Sequence, residues 1–381
     1  MTGPEPIAIA RPDLGEEEWL ALREPILSGW LTQGPKVRAF EQAFARRHQV
    51  PHALATTSCT TGLHLILSAM GIGPGDEVIV PAFTWVATAN AVVHTGATPV
   101  FADVDPTTYT LDPRDLARHL TPRTRAIIPV HLFGLCADMD AIARVAPGIP
   151  LVEDAACAAG ADYHGRCAGA LGYAAAFSFH PRKSITTGEG GMVTTGEADL
   201  ATRMSAMRDH GASVSDAQRH QGPQPHILPE FNLLGFNYRM TDLQGAVGLV
   251  QLGKLDRFIA ERRRMAAFYT RELQDLPWLR PPTVPPGLGH AWQAYVCCVD
   301  PALAPAPRNA IMAQLQQAGV ATRPGTHAVH LLGYYRQRYG LRPEDCPGAR
   351  DCDRQTMAIP LHNRMGEADL ARVVTAITEL R

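Results

Sequence analysis

The chain has 381 residues, is 46% hydrophobic, and carries 35 basic against 37 acidic residues for a formal net charge of -2. Such length and apolar content support a large buried core in two or three domains and exclude a disordered chain. A sequence pI near 6.7 argues against a nucleic-acid or anionic-membrane binder, and no apolar run reaches the roughly 18 residues of a spanning helix.

The opening MTGPEPIAIARPD has no basic region followed by an apolar core, so no secretory signal is read there. The eight cysteines form no CxxC pair and read as reduced thiols of a cytoplasmic protein. Only three of the basic residues are lysines: Lys36, Lys183 and Lys254. Codon bias in a GC-rich genome accounts for that scarcity, though not for where the three remain.

From about residue 60 short apolar runs alternate with helical patterns. TGLHLILSAMG predicts a helix and DEVIVP a strand; TWVATANAVVHTG and TPVFADV repeat the pair, as do DPRDLARHL with RAIIPVH and MDAIARVA with IPLVEDA. AAAFSFH and GGMVTT add two more strands. Apolar strands separated by helices predict a mainly parallel, doubly wound α/β sheet buried on both faces. Ligands of such sheets sit beyond the carboxyl ends of the strands. Residues 211–230 lose periodicity and predict a long loop, a lid or an interface segment. A helix is predicted from about Met240 to Leu276. LRPPTVPPGLG then stiffens the chain, and the strand-like AWQAYVCCVD and final helix EADLARVVTAITEL predict a smaller α+β domain. The division is placed at residues 1–250 and 251–381.

Lys183 lies in FSFHPRKSITTGEGGMVTT, in a turn between two apolar strands. Partial burial lowers an ammonium pKa and frees an amine for a Schiff base with an aldehyde cofactor; the plain alternative is an ordinary turn lysine. Asp154 ends the strand of GIPLVEDA, where an acid needs a cationic partner such as a protonated pyridine nitrogen, or serves as a helix cap. Glu153 alternates onto the other face. Ser58, Cys59 and Thr60 begin a helix whose unpaired N–H groups favour a phosphate, and Ser178 adds a hydroxyl. Trp85 follows another strand, either stacking on a flat ring or packing in a core.

Taken in order, SGWLTQGPKVRAFEQAFA, SCTTGLHL, PAFTWVATANAV, GATPVFADVD, LVEDAA, FSFHPRKSITTGEGG and GFNYRMTDLQGA resemble the motifs of the DegT-type sugar aminotransferases, fold-type I enzymes that use pyridoxal 5′-phosphate. The resemblance runs from about residue 28 to the C-terminus. It implies Lys183 as the Schiff-base lysine, Asp154 as partner of the pyridine nitrogen, Trp85 as the stacking ring, and Cys59, Thr60 and Ser178 around the phosphate. It also implies a homodimer with shared active sites, Asn237 reaching the neighbouring subunit's phosphate. Cys157 stands where the family often has Gln or His on the cofactor's hydroxyl side. Relatives that dehydrate rather than transaminate replace the lysine with histidine, and Lys183 argues against that branch. The implied reaction passes an amine from L-glutamate to a keto-deoxysugar, nucleotide-linked, or to a keto-cyclitol.

Arg239 suits a diphosphate, and His327 and His330, three apart in THAVHLL, fall where relatives shape the substrate pocket. HAVH has no third ligand in sight, so no metal is expected. A regulatory, noncatalytic homologue is disfavoured by the intact lysine, acid and cradle. A nicotinamide-dependent dehydrogenase fails because the glycines of GIGPGD follow a helix and precede a strand.

Overall fold

The computed structural model describes residues 5–213 and 229–380. Its large sheet has seven strands: β1 (His52–Thr56), β2 (Glu77–Pro81), β3 (Thr98–Ala102), β4 (Thr124–Ile127), β5 (Val152–Asp154), β6 (Ala174–Ser178) and β7 (Gly191–Thr195). Their spatial order is β1–β7–β6–β5–β4–β2–β3, with β4 and β5 joined by parallel bridges at Ile127–Leu151 and Val130–Asp154. β7 alone runs antiparallel, pairing both β1 and β6 that way. The expected mainly parallel sheet is present; the exception arises because the 12 residues between Ser178 and Gly191 turn the chain straight back, without a crossover helix.

Alternation sorts the strand side chains into two cores. Val78, Val80, Ala174 and Ala176 face one, with Leu63, Ile66 and Val92 of helices α2 (Cys59–Ala69) and α3 (Ala87–His94). Ile79, Ala175 and Phe177 face the other, with Phe40 and Phe44 of α1 (Pro35–His48). Each buried Phe or Leu contributes about 1.5–3 kcal/mol.

A 32-residue helix, Asp242–Leu273, follows the GFNYRM segment and crosses α1 closely. A Cβ at Gly245 would sit 2.6 Å from the backbone nitrogen of Val37, so only glycine permits that approach. Asp242 is buried and caps α1: its carboxylate accepts from the N–H groups of Gly34 at 2.8 Å, Val37 at 2.9 Å and Lys36 at 3.1 Å.

The smaller sheet is antiparallel, in the order Leu279–Arg280, Tyr295–Val299, Thr356–Ile359, Arg323–Pro324. Its core gathers Tyr269, Tyr295, Val299, Ile311 and Val373, and takes Ile7 from the start of the chain. The expected division at residue 250 falls inside the continuous long helix. Phe258 and Ile259 still pack on the large core, and Met265 and Tyr269 on the small one. Helical periodicity does not register which core a turn faces. No helix among the described residues is long and apolar enough to cross a membrane, and all eight cysteines are free thiols. Most of the expected loop at 211–230 lies outside the described residues.

Candidate active site

β5 ends in two carboxylates that alternation separates. Glu153 is fully buried, and its oxygens accept from the backbone N–H groups of Gly169 at 2.6 Å, Gly172 at 2.7 Å and Leu171 at 2.8 Å, with His131 Nε2 at 2.9 Å. It is a structural pin. Asp154 points to the opposite face and is 5% exposed. Its Oδ2 accepts from Thr88 Oγ1 at 2.7 Å and its Oδ1 from the Ala156 N–H at 3.1 Å; the Cys59 thiol lies 3.9 Å from Oδ1.

Lys183 follows β6 in a turn closed by its own N–H bonding to the His180 carbonyl at 2.8 Å. The residue is half-buried, but its ammonium end is enclosed. Nζ donates to Cys157 Sγ at 3.2 Å. Burial pulls the ammonium pKa down, yet Cys157, Cys59 and Asp154 outweigh it and hold the pKa above the ordinary lysine value. Burial thus acts on Lys183 in the expected direction, and the groups around its amine act against it. The Cys59 thiol moves the other way from ionisation, its pKa pushed well up by burial and by Asp154.

The start of α2 lies beside them. Ser58 caps the helix, its Oγ accepting from the Thr61 N–H at 3.1 Å. Its side chain is thus occupied, as plain capping would have it. Cys59 turns its thiol to the Ala176 carbonyl at 3.4 Å. The Cys59 and Thr60 N–H groups and the Thr60 hydroxyl have no partner among the described residues. Gly191, at the start of β7, leaves this helix start open: a Cβ there would sit 2.4 Å from the Ser58 carbonyl carbon and 2.7 Å from the Cys59 nitrogen. Ser178, paired with Gly191, is half-buried; its Oγ accepts a long bond from the His180 N–H at 3.4 Å.

Trp85 is 60% exposed, which removes the core alternative. The two-residue strand His327–Ala328 pairs with Phe83–Thr84, bringing the His327 ring to 5.6 Å from the Trp85 ring. His330 has no exposed surface and lies in the 3-10 turn Val329–Leu331. The Arg239 guanidinium is ion-paired with Asp209 at 2.5 Å. Asn237 is exposed. Sequence reasoning missed Thr88, Thr84, Gly191 and Asp242; two threonines four apart beside a strand end were the available signal for the first pair.

An amine, a buried carboxylate and a helix start with unpaired N–H groups fit pyridoxal 5′-phosphate, which has an aldehyde, a ring nitrogen and a phosphate. Fold and site together are those of a fold-type I pyridoxal-phosphate aminotransferase. The sequence matches the DegT/DnrJ/EryC1/StrS aminotransferase family over residues 12–378, and the chain belongs to that family. It is 40% identical over 372 residues to the spore coat polysaccharide biosynthesis protein SpsC of Bacillus subtilis, covering 97% of this chain and 95% of that one. Among solved structures it resembles DesI, crystallised in the presence of its TDP-sugar product, with 34% identity, a TM-score of 0.88, and 98% and 92% of the two chains covered. It also resembles the putative sugar aminotransferase Spr1654 of Streptococcus pneumoniae in its PMP-form, with 27% identity, a TM-score of 0.91 and 98% of each chain covered; that protein also has a PLP-form structure.

Proposed function

We propose that this aminotransferase moves an amino group from L-glutamate to the carbonyl of a nucleotide-linked keto-deoxysugar, acting in the cytoplasm as a homodimer with shared active sites. The observation that carries this reading is the convergence of the Lys183 amine, Asp154 and the unpaired N–H groups of Cys59 and Thr60 at one edge of the sheet, beside the exposed Trp85 and the half-buried His327. The likeness to DesI and SpsC supports a sugar acceptor. Exposed Trp19, Ile26, Leu27 and Leu234 support a second subunit, and Asn237 is itself exposed.

When bound, the cofactor supplies an aldehyde that exchanges amines and a ring that takes up electrons from the donor's α-carbon. Lys183 is its covalent anchor between turnovers. With the donor bound, Lys183 Nζ would take the proton from the donor's α-carbon as base and give it back as acid; such proton transfer contributes about 10²–10⁴-fold. Asp154 holds positive charge at the ring nitrogen. The Cys59 and Thr60 N–H groups, with Ser178, bind the phosphate. Trp85 would hold the ring by stacking, Cys157 would steady the lysine, and His327 would serve the acceptor.

The test is turnover with glutamate and glutamine against a panel of nucleotide-linked keto sugars, free keto sugars and keto-cyclitols. A preference for a nucleotide-linked keto sugar with glutamate is expected. Turnover of keto-cyclitols alone would replace the acceptor, and no transamination with any member would defeat the reading.

A further inference from the structure

We propose that Thr88 is a positioning residue for this reaction, its hydroxyl, itself held by Thr84, fixing the carboxylate of Asp154 toward the cofactor's ring nitrogen. The proposal rests on the role given to Asp154 above.

The three groups form an ordered chain. Thr88 Oγ1 lies 2.7 Å from Asp154 Oδ2, and Thr84 Oγ1 lies 3.1 Å from Thr88 Oγ1. Both threonines are fully buried, so water does not complete their bonding. A hydroxyl has a single proton to give, and a carboxylate only accepts. Thr88 must therefore donate to Asp154, and Thr84 must donate to Thr88. The direction of the chain follows from the acid at its end.

Two independent elements set the geometry. Thr84 ends the short strand whose register is fixed by pairing with His327, and Thr88 lies four residues on, in the first turn of α3. A carboxylate's terminal torsion is broad and roughly two-fold. Asp154 has one local restraint, the Ala156 N–H on Oδ1, and Thr88 supplies the second, on Oδ2. With both oxygens held, the ring of contacts fixes the plane of the carboxylate. Oδ1 takes the Ala156 N–H and the long Cys59 thiol contact, while Oδ2 takes only Thr88, so Oδ2 keeps an acceptor site for a cationic partner. The Thr84–Thr88 bond uses one of the pair's two protons, and the other, on Thr88, goes to the acid.

The experiment uses the holoenzyme with Thr88→Val, which keeps the shape and loses the hydroxyl, and Thr88→Ser, which keeps it. Asp154→Asn reports on Asp154 itself. Three readouts are taken: the pH dependence of the bound cofactor's absorbance, the rate of cofactor release, and kcat against KM for the donor. Thr88→Val should displace the absorbance titration, release cofactor about tenfold faster, and lower kcat more than it raises KM; Thr88→Ser should restore all three toward wild type. If Thr88→Val does not fold, Thr84→Val should move the same readouts in the same direction by less. Wild-type titration and release in the folded valine variants, while Asp154→Asn is altered, would overturn the proposal and leave the role of Asp154 standing. Wild-type behaviour in Asp154→Asn as well would overturn both.

Discussion

Lys183 Nζ donates to Cys157 Sγ at 3.2 Å, so a thiol, not a carboxylate, is its nearest partner. The other two lysines are in ordinary ion pairs: Lys36 with Glu24, and Lys254 with Glu17 at 2.6 Å and Glu18 at 2.7 Å. Cys157 is among the groups that raise the Lys183 pKa, against the burial that lowers it. Cys157→Ala should therefore lower that pKa. Neutral amine then forms at lower pH, and capture of cofactor by the cofactor-free protein should set in at lower pH. The rate of yellow colour formation across a pH series checks this; an unmoved profile would show that Cys157 does not set the charge of the lysine.

Gly191 faces the start of α2 so closely that a Cβ would lie 2.4 Å from the Ser58 carbonyl carbon. Backbone atoms do not yield as a side-chain tip would. Gly191→Ala should push the helix start away from β7 and weaken cofactor binding about tenfold or more, through lost N–H contacts to the phosphate. Titration with the cofactor measures it, and wild-type affinity would argue against this cradle.

Glu153 accepts from three backbone N–H groups and faces His131, all in the interior. Glu153→Ala would leave those donors buried and unpaired. The expected cost is about 3–5 kcal/mol of stability, read as a lower denaturant midpoint. A loss below about 1 kcal/mol would mean that water takes over the carboxylate's bonds.

Acid should destabilise the fold through buried histidines. Burial lowers His48 to about 3 and His290 to about 3, from an ordinary 6.5, and His362 to about 4. Between these values and 6.5 the unfolded chain binds protons that the folded chain refuses. Stability is thus full above the unfolded value and falls as pH drops, by up to about 1.4 kcal/mol per pH unit for each histidine. His48 stacks on Phe44 at 3.9 Å; His48→Phe should flatten part of the slope of melting temperature against pH. An unchanged slope would assign the acid sensitivity elsewhere.

Much of this was legible in the sequence because burial leaves periodic marks. The apolar runs located the strands, and alternation at the end of β5 separated Asp154 from Glu153. The Lys183 turn was legible because a lysine between two apolar strands is out of place. What periodicity does not encode is direction and long-range partnership. It gave no sign that β7 runs antiparallel, nor that the long helix serves two cores. HAVH placed two histidines three apart, but only the pairing of His327–Ala328 with Phe83–Thr84 sends His327 to Trp85 and buries His330. The raised pKa of Lys183 was likewise hidden, because it depends on Cys157 and Cys59, 26 and 124 residues away along the chain.

The central claim is that Lys183 carries the cofactor. Borohydride reduction of the yellow holoenzyme, followed by peptide mass mapping, tests it most directly, because the chain has only two other lysines. The account predicts that the colour bleaches and that the pyridoxyl mass is found on Lys183 alone, with Lys183→Ala showing neither label nor turnover. A label on Lys36 or Lys254, or a Lys183→Ala protein that still transaminates, would contradict it.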